Sequence, residues 1–165
     1  MRYAMSSKWW PERFTISDDA GQRFEVRNSP GFTTQLSLRV VDGEEIAAIR
    51  RRRGGRFQVI VRGRETGLVR PRARGRYDIH SALGPLTVAG DVAGGQYEIA
   101  GGLVTAAVSR HHVPQGRTIS VHIGGGDDAA APLATVLAIE AIQYERDGAY
   151  FNPLALLDLL NPFKW

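Results

Sequence analysis

Residues 129–142 read AAAPLATVLAIEAI, and this stretch decides the fold. Only Thr135 and Glu140 interrupt it, so apolar side chains would cover every side of an α-helix. A helix that is apolar all round is either buried on all sides or spans a membrane. At 1.5 Å per residue the stretch is about 21 Å long, which is short of a bilayer core of roughly 30 Å. We therefore expect a helix that is enclosed by the rest of the protein.

The ends of this helix are marked in the sequence. Asp127 or Asp128 can accept hydrogen bonds from the first free N–H groups of the helix. Arg146 lies where a cation is favoured by the helix dipole, and Gly148 suits the residue after the end. These signals predict a helix near residues 128–146.

The chain before the helix alternates between apolar and polar residues in short segments. Turn signals separate these segments, for example Asp42-Gly43, Gly54-Gly55 and Gly101-Gly102. We count about eleven such segments between residues 13 and 123, which is typical of a β-sandwich or a β-barrel. Because a single apolar helix accompanies many strands, we expect a sheet that wraps around the helix.

Length and composition limit the classes of protein that are plausible. The chain has 165 residues, enough for one domain with a substantial core. It contains no cysteine, which excludes disulfides, thiolate metal ligands and a thiol nucleophile, and which fits a reducing compartment. Residues 1–10 contain no apolar run of signal-peptide length, so we expect a cytoplasmic protein. The net charge of +4 favours anionic partners.

Arginine is the most prominent polar feature of the sequence. Eleven arginines lie between residues 50 and 76, opposed within that stretch only by Glu65. The last four fall at a spacing of two, so on a strand they would share one face and could bind phosphates bidentately. Three interpretations stay open: a solvated basic face, a surface for anionic lipid headgroups, and a surface for a nucleic-acid backbone. The arginines that we assign to an anionic headgroup are Arg50, Arg52, Arg62, Arg64, Arg70, Arg72, Arg74 and Arg76.

No arrangement of residues predicts an enzyme. His111 and His112 are adjacent, so on a strand they would point to opposite faces, and the chain has no His-x-His motif. Residues 124–128 lack the Lys-Ser/Thr of a phosphate loop. A buried acid such as Glu140 can be catalytic, but more often it reaches a buried hydrogen bond, here beside Gln143. We therefore predict no catalytic residue, no metal and no cofactor.

The last residues differ from the rest of the chain. Residues 150–165 read YFNPLALLDLLNPFKW, in which Asn152-Pro153 would start a short helix and Asn161-Pro162 would end it. This tail could dock into a groove of its own domain, form a homodimer or partner contact, or lie on a membrane surface. Its single cation, Lys164, gives it a poor polar face for the last role. The residues that we assign to an interaction are Leu154, Leu156, Leu157 and Leu160.

The order of several sequence blocks resembles the LURP-one-related family. The blocks are MRYAM at 1–5, RFTISDDAGQRFEV at 13–26, LRVVDGEEIAAIRRR at 38–52 and LTVAGDVAGGQYEIAGGLVTAAVSR at 86–110, followed by the apolar helix. That family is similar to the tubby C-terminal domain and to the phospholipid scramblases. The resemblance covers residues 1–147.

The resemblance implies a mainly β fold, a closed antiparallel barrel of about twelve strands that encloses a central hydrophobic helix. It implies one barrel domain over residues 1–148, with residues 149–165 as an added leucine-rich tail. Tubby-like domains bind phosphoinositide headgroups through basic residues, but no residue of that pocket maps onto a particular arginine here. The cysteine-rich segment that is palmitoylated in scramblases is absent.

We therefore predict a non-enzymatic LURP-one-related, tubby-like domain. It would bind anionic phospholipid at a membrane surface through its arginine-rich face, in the cytoplasm or peripherally at the membrane, without a transmembrane span. One alternative is a structural or protein-interaction module whose tail forms a homo-oligomer or binds a protein partner. The other alternative is nucleic-acid binding.

Overall fold

The structure is a computed structural model that describes residues 1–7, 13–29, 35–82, 84–102, 104–113, 116–125 and 128–148. Within these ranges the chain forms twelve β-strands, one 3-10 turn at Ala73–Gly75, and one α-helix, α1, at Ala130–Gly148. The strands are β1 Arg2–Ser7, β2 Arg13–Asp18, β3 Arg23–Ser29, β4 Gln35–Val40, β5 Glu45–Arg52, β6 Arg56–Val61, β7 Arg64–Pro71, β8 Tyr77–Ser81, β9 Gly84–Asp91, β10 Gln96–Gly101, β11 Val104–Val113 and β12 Gly116–Gly124.

The strands form one closed antiparallel barrel, as predicted. Each strand pairs with its neighbours in the chain, and β1 pairs with β12 to close the sheet. The eleven segments that the sequence pattern identified correspond to β2–β12, so β1 is the strand that the pattern missed. At the closing seam, Tyr3 pairs with Val121 and Met5 with Ile119, and all four side chains are buried.

The alternation of burial along the strands shows which face points inward. In β6, Phe57, Val59 and Val61 are buried, while the residues between them are partly exposed. Successive side chains of a strand point to opposite faces of the sheet, so the buried set faces the interior of the barrel. The same alternation recurs in β10, where Tyr97 and Ile99 face inward.

Helix α1 occupies the interior of the barrel, as the sequence predicted. Its side chains are buried on every side of the helical period, and Leu133, Val136, Leu137 and Ile139 have no exposed surface. The helix contacts β5, β6, β7 and β11. The predicted cap is present as well, since the Ala130 N–H donates to Asp128 Oδ1 at 3.0 Å. A barrel of this size leaves room that the apolar helix fills.

The direction of α1 distinguishes the two ends of the barrel. We call the end at which α1 begins the top and the end at which it finishes the bottom. The β6–β7 turn lies at the top, because Arg62 in this turn binds Asp128 just before α1. The β5–β6 and β7–β8 turns lie at the bottom, where Arg51 pairs with Glu145 and the carbonyl of Arg72 accepts a hydrogen bond from Arg146.

The leucine-rich tail that the sequence assigns to an interaction lies outside the described residues. Its four candidate leucines, Leu154, Leu156, Leu157 and Leu160, therefore stay a prediction.

Replacing Leu137 by aspartate should unfold the protein. Leu137 has no exposed surface, so the new carboxylate would be buried without a partner at a cost of several kcal/mol. This is a large part of the about 5–15 kcal/mol that stabilises a typical domain. We expect the near-UV circular dichroism signal and the cooperative thermal transition to be lost.

The matched control is Val41→Asp, which introduces the same charge at an apolar position that is 39% exposed. This variant should melt close to the wild type. A Leu137→Asp protein with a cooperative transition like that of the control would show that α1 is not enclosed.

Candidate anion-binding surface

Three arginines lie side by side on the outer face of the barrel near its bottom end. Arg52 of β5 is the direct register partner of Arg56 of β6. The paired register of β6 and β7 ends with Phe57 opposite Val69, and extending it by one residue places Arg56 beside Arg70 of β7. Phe57 and Val69 face the interior, which leaves the three arginines on the outside. We call Arg52, Arg56 and Arg70 the arginine row; neighbouring strands are about 4.8 Å apart.

The row concentrates positive charge. It continues on β8 to Asp78, the register partner of Arg70, but the Asp78 carboxylate binds the Nε of Arg72. Among the described side chains here, the guanidinium groups of Arg50, Arg52, Arg56, Arg70 and Arg72 outnumber two carboxylates, Asp78 and Glu65, and Glu65 is bound to Gln58. Like charges directly opposite each other on neighbouring strands are destabilising, so an anion that bridges them would be stabilising.

Neutral groups orient two arginines of the row without neutralising them. Arg52 Nε donates to the side-chain oxygen of Gln58 at 2.9 Å, and Gln58 in turn donates to Glu65 at 2.6 Å. Arg56 Nε donates to the carbonyl of Arg53 at 3.0 Å. A guanidinium has five N–H donors in a rigid fork, so each arginine keeps donors for an external anion.

Contacts from α1 hold the turns beside the row. Arg51 Nε lies 3.3 Å from Glu145 Oε1, and Arg146 donates to the carbonyl of Arg72 at 3.2 Å. The Arg146 guanidinium also lies 5.8 Å from the centre of the Tyr77 ring, which is a cation–π contact. These contacts connect the end of the helix to both arginine-bearing turns, so the surface is positioned by the core.

The prediction that the arginines from 70 to 76 share one strand face is wrong. Strand β7 ends at Pro71, which has no N–H to continue the ladder, and residues 73–75 form a 3-10 turn with Gly75 at φ +71°. Only Arg70 keeps the strand position. Arg72 folds back onto Asp78 and Arg76 is exposed after the turn. The side chain of Arg74 is outside the described part of the structure.

The structure also divides the predicted set between the two ends of the barrel. Arg62 and Arg64 flank the β6–β7 turn at the top, and a strand of six residues separates them from the row by roughly 20 Å. Arg62 is paired with Asp128, and its hydrogen bond lowers the pKa of the Asp128 carboxyl below the ordinary value of 3.8. Arg50 lies on the outer face near the row, opposite Gln58.

Arg56 is a member of the row that the predicted set left out. The Gly54-Gly55 turn was recognised in the sequence, and it makes Arg52 and Arg56 direct partners across the hairpin. The signal was therefore present in the turn, although the junction with Arg70 depends on pairing between β6 and β7.

Glu140, the acid of the apolar helix, is fully engaged inside the barrel. Its Oε2 lies 2.8 Å from Arg110 Nη1, and its Oε1 accepts a hydrogen bond from the Tyr97 hydroxyl at 2.8 Å. Burial, reinforced by the Glu140 carboxylate, raises the pKa of the Tyr97 hydroxyl well above 10.0, so this hydroxyl stays a donor. Both carboxylate oxygens are occupied, which makes Glu140 an anchor for α1.

Arg110 connects three elements through this anchor. It lies on β11, binds Glu140 of α1, and donates through Nη2 to the carbonyls of Val92 and Ala93 in the β9–β10 turn at 2.7 and 2.8 Å. Gly95 lies against Arg110, because a Cβ at this glycine would come within 2.7 Å of the Arg110 Cβ. The sequence identified Glu140 as an unusual residue but gave no signal for Arg110 as its partner.

The described ranges contain no group of three or more His, Asp or Glu residues that could hold a metal ion. His111 is exposed on the outer face of β11, where its Nε2 lies 2.9 Å from the Ser109 hydroxyl. Nor is there, among these residues, a helix long and apolar enough to cross a membrane.

Comparison with known proteins adds no assignment. No protein-family model, no curated protein and no solved structure matches this chain. The resemblance to LURP-one-related proteins therefore stays a prediction, and function is inferred from the surface itself.

Separate and combined replacement of Arg110 and Glu140 should reveal strong coupling. Each of Arg110→Met and Glu140→Leu leaves the other charge buried and unpaired, which costs about 3–5 kcal/mol. The double variant leaves no unpaired charge, so we expect its loss of stability to be at least about 2 kcal/mol smaller than the sum. Urea unfolding of the four proteins measures this coupling. Additive losses would mean that the pair does not anchor the helix.

Proposed function

We propose that the protein is a non-enzymatic LURP-one-related, tubby-like module that binds anionic membrane lipid headgroups. The binding surface is the arginine row of Arg52, Arg56 and Arg70, extended by Arg50 and Arg72. In this proposal the protein acts in the cytoplasm and peripherally at the membrane. The single observation that supports it is the side-by-side placement of three arginines on neighbouring strands.

The chemistry of the row favours phosphate. Guanidinium groups bind phosphate oxygens through paired, charge-assisted hydrogen bonds, and arginine is weakly hydrated compared with lysine. The neutral partners of Arg52 and Arg56 orient these groups and leave their charge for the ligand. A membrane presents many phosphates in one plane. An exposed row of arginines on the outside of a barrel can contact such a plane more easily than a deep pocket can.

The charge of the arginine row is large enough to change the affinity for an anionic membrane measurably. Each basic residue close to an anionic membrane contributes about 1 kcal/mol at physiological ionic strength. Three residues would then contribute about 3 kcal/mol, or about a hundredfold in affinity. A solvated basic face without this arrangement would bind more weakly and lose its binding as salt screens the charges.

The test is sedimentation with vesicles of phosphatidylcholine alone or with phosphatidylserine, at low and physiological salt. The triple variant Arg52→Gln/Arg56→Gln/Arg70→Gln should bind the anionic vesicles about a hundredfold more weakly than the wild type. The control is Arg2→Gln/Arg23→Gln/Arg39→Gln, which removes the same charge from β1, β3 and β4. This control should bind almost as the wild type does.

Equal losses in both triple variants would mean that net charge alone drives binding, and the proposed site would be wrong. If the wild type binds anionic vesicles at neither salt concentration, the lipid function is wrong. A competition with duplex DNA and single-stranded RNA completes the test. If nucleic acid displaces the vesicles and its binding needs the same row, the surface is a nucleic-acid surface instead.

A further inference from the structure

A cavity lies between the first turns of α1 and the inner wall of the barrel at its top end. Its volume is about 520 Å³, within the range of about 300–1,000 Å³ that small-molecule pockets span. Aliphatic side chains form much of its wall, among them Val61, Leu86, Ile99 and Ala106. The cavity opens to solvent beside Arg62 and Arg64, so a ligand could enter it from the top of the barrel.

The amino-acid sequence of α1 explains where the cavity forms. On the side of the helix that faces it, the first turns carry Ala131, Pro132 and Thr135, which are small or short side chains. Farther along, the helix carries larger residues such as Leu137, Ile139 and Ile142, and these fill the barrel. On this side, the first turns of the helix are therefore too narrow to fill the space up to the wall.

Two arginines lie at the edge of this cavity. Arg62 is bound to Asp128, whereas Arg64 is exposed and pairs with no carboxylate among the described residues. Arg62 has a left-handed backbone at φ +48°, a conformation that costs a non-glycine residue free energy, and its N–H donates to the Ile46 carbonyl at 2.9 Å. Among the described lining residues, two cations and one carboxylate leave a net positive charge beside an apolar interior.

We propose that this cavity binds the aliphatic chain of a single-chain amphiphile whose anionic head lies against Arg64. The described lining residues include aliphatic side chains and no aromatic ring, which suits a flexible chain better than a flat ring system. The positive edge suits a carboxylate or a phosphate head. The site is at the opposite end of the barrel from the arginine row, and neither proposal needs the other.

The test is a calorimetric titration of the whole chain with saturated fatty acids from octanoate to hexadecanoate, each below its micelle concentration. Each pair of added methylenes should raise the affinity by roughly tenfold until the chain fills the cavity, after which the affinity should level off. The matching fatty alcohols should bind more weakly. Lysophosphatidate of the same chain length is the second arm, and comparing it with the fatty acid distinguishes a phosphate head from a carboxylate head.

Two variants examine the two parts of the site. Ala131→Phe fills the cavity from a helix position that is partly exposed, and it should abolish binding of every ligand in the series. Arg64→Gln alters only the edge, so it should weaken carboxylate binding by about fivefold and leave alcohol binding unchanged. Because Arg64 is exposed, this variant should fold even if Ala131→Phe does not, and thermal unfolding checks both.

Further outcomes separate this proposal from the lipid-surface function. The Arg52/Arg56/Arg70 triple variant should bind fatty acids as the wild type does, and Ala131→Phe should still sediment with anionic vesicles. Absence of binding by any chain length, or unchanged binding in a folded Ala131→Phe protein, would overturn the assignment of the cavity. An equal effect of Arg64→Gln on acids and alcohols would overturn the role of the anionic head.

Discussion

The enclosure of α1 is the constraint on which the rest of the structure depends. A helix with apolar residues on every side has no face that can be left in water, so the sheet must surround it. The two polar residues in its buried second half then need partners from the wall. Glu140 binds Arg110 and Tyr97, and Gln143 accepts a hydrogen bond from the Tyr77 hydroxyl at 3.4 Å. The helix is therefore attached to β8, β10 and β11 by polar contacts within an apolar core.

The order of the hairpins around the helix determines where the arginines lie. In a barrel of consecutive hairpins, successive turns alternate between the two ends, so the β5–β6 and β7–β8 turns come together at the bottom. Arginines far apart in sequence thereby meet in one row. The β6–β7 turn between them goes to the top, and it takes Arg62 and Arg64 to the edge of the apolar cavity. One arginine-rich stretch of sequence thus supplies two surfaces of different chemistry.

The helix, the strands β2–β12 and the tight turns could be predicted because their signals are local. Strand β1 was missed because its inward residues, Tyr3 and Met5, are few and its partner β12 lies at the other end of the barrel sequence. The prediction of one strand face over residues 70–76 was wrong because it relied on the spacing of the arginines. Pro71 and Gly75 in the same stretch favour a turn. The arginine row could be predicted only in part, since it needs the register between β6 and β7.

The buried pair and the cavity could not be predicted from the sequence, for a related reason. Arg110 and Glu140 are thirty residues apart, and nothing in either neighbourhood indicates the other. The cavity is the space left between small helix residues and a wall formed by several strands, so it exists only after the barrel closes. Both features depend on the distance between α1 and the sheet. The hydrophobic periodicity of the sequence does not indicate this distance.

The enclosure of α1 and the position of the membrane-binding surface can be measured together by amide hydrogen–deuterium exchange of the whole chain, with and without anionic vesicles. Strong protection is expected across α1 in both states, because the helix opens only when the barrel does. Vesicles should add protection at the β5–β6 and β7–β8 turns beside the arginine row. Rapid exchange in α1 would show that the helix is not enclosed, and added protection centred on the β1–β12 face instead of those turns would show that the arginine row is not the binding surface.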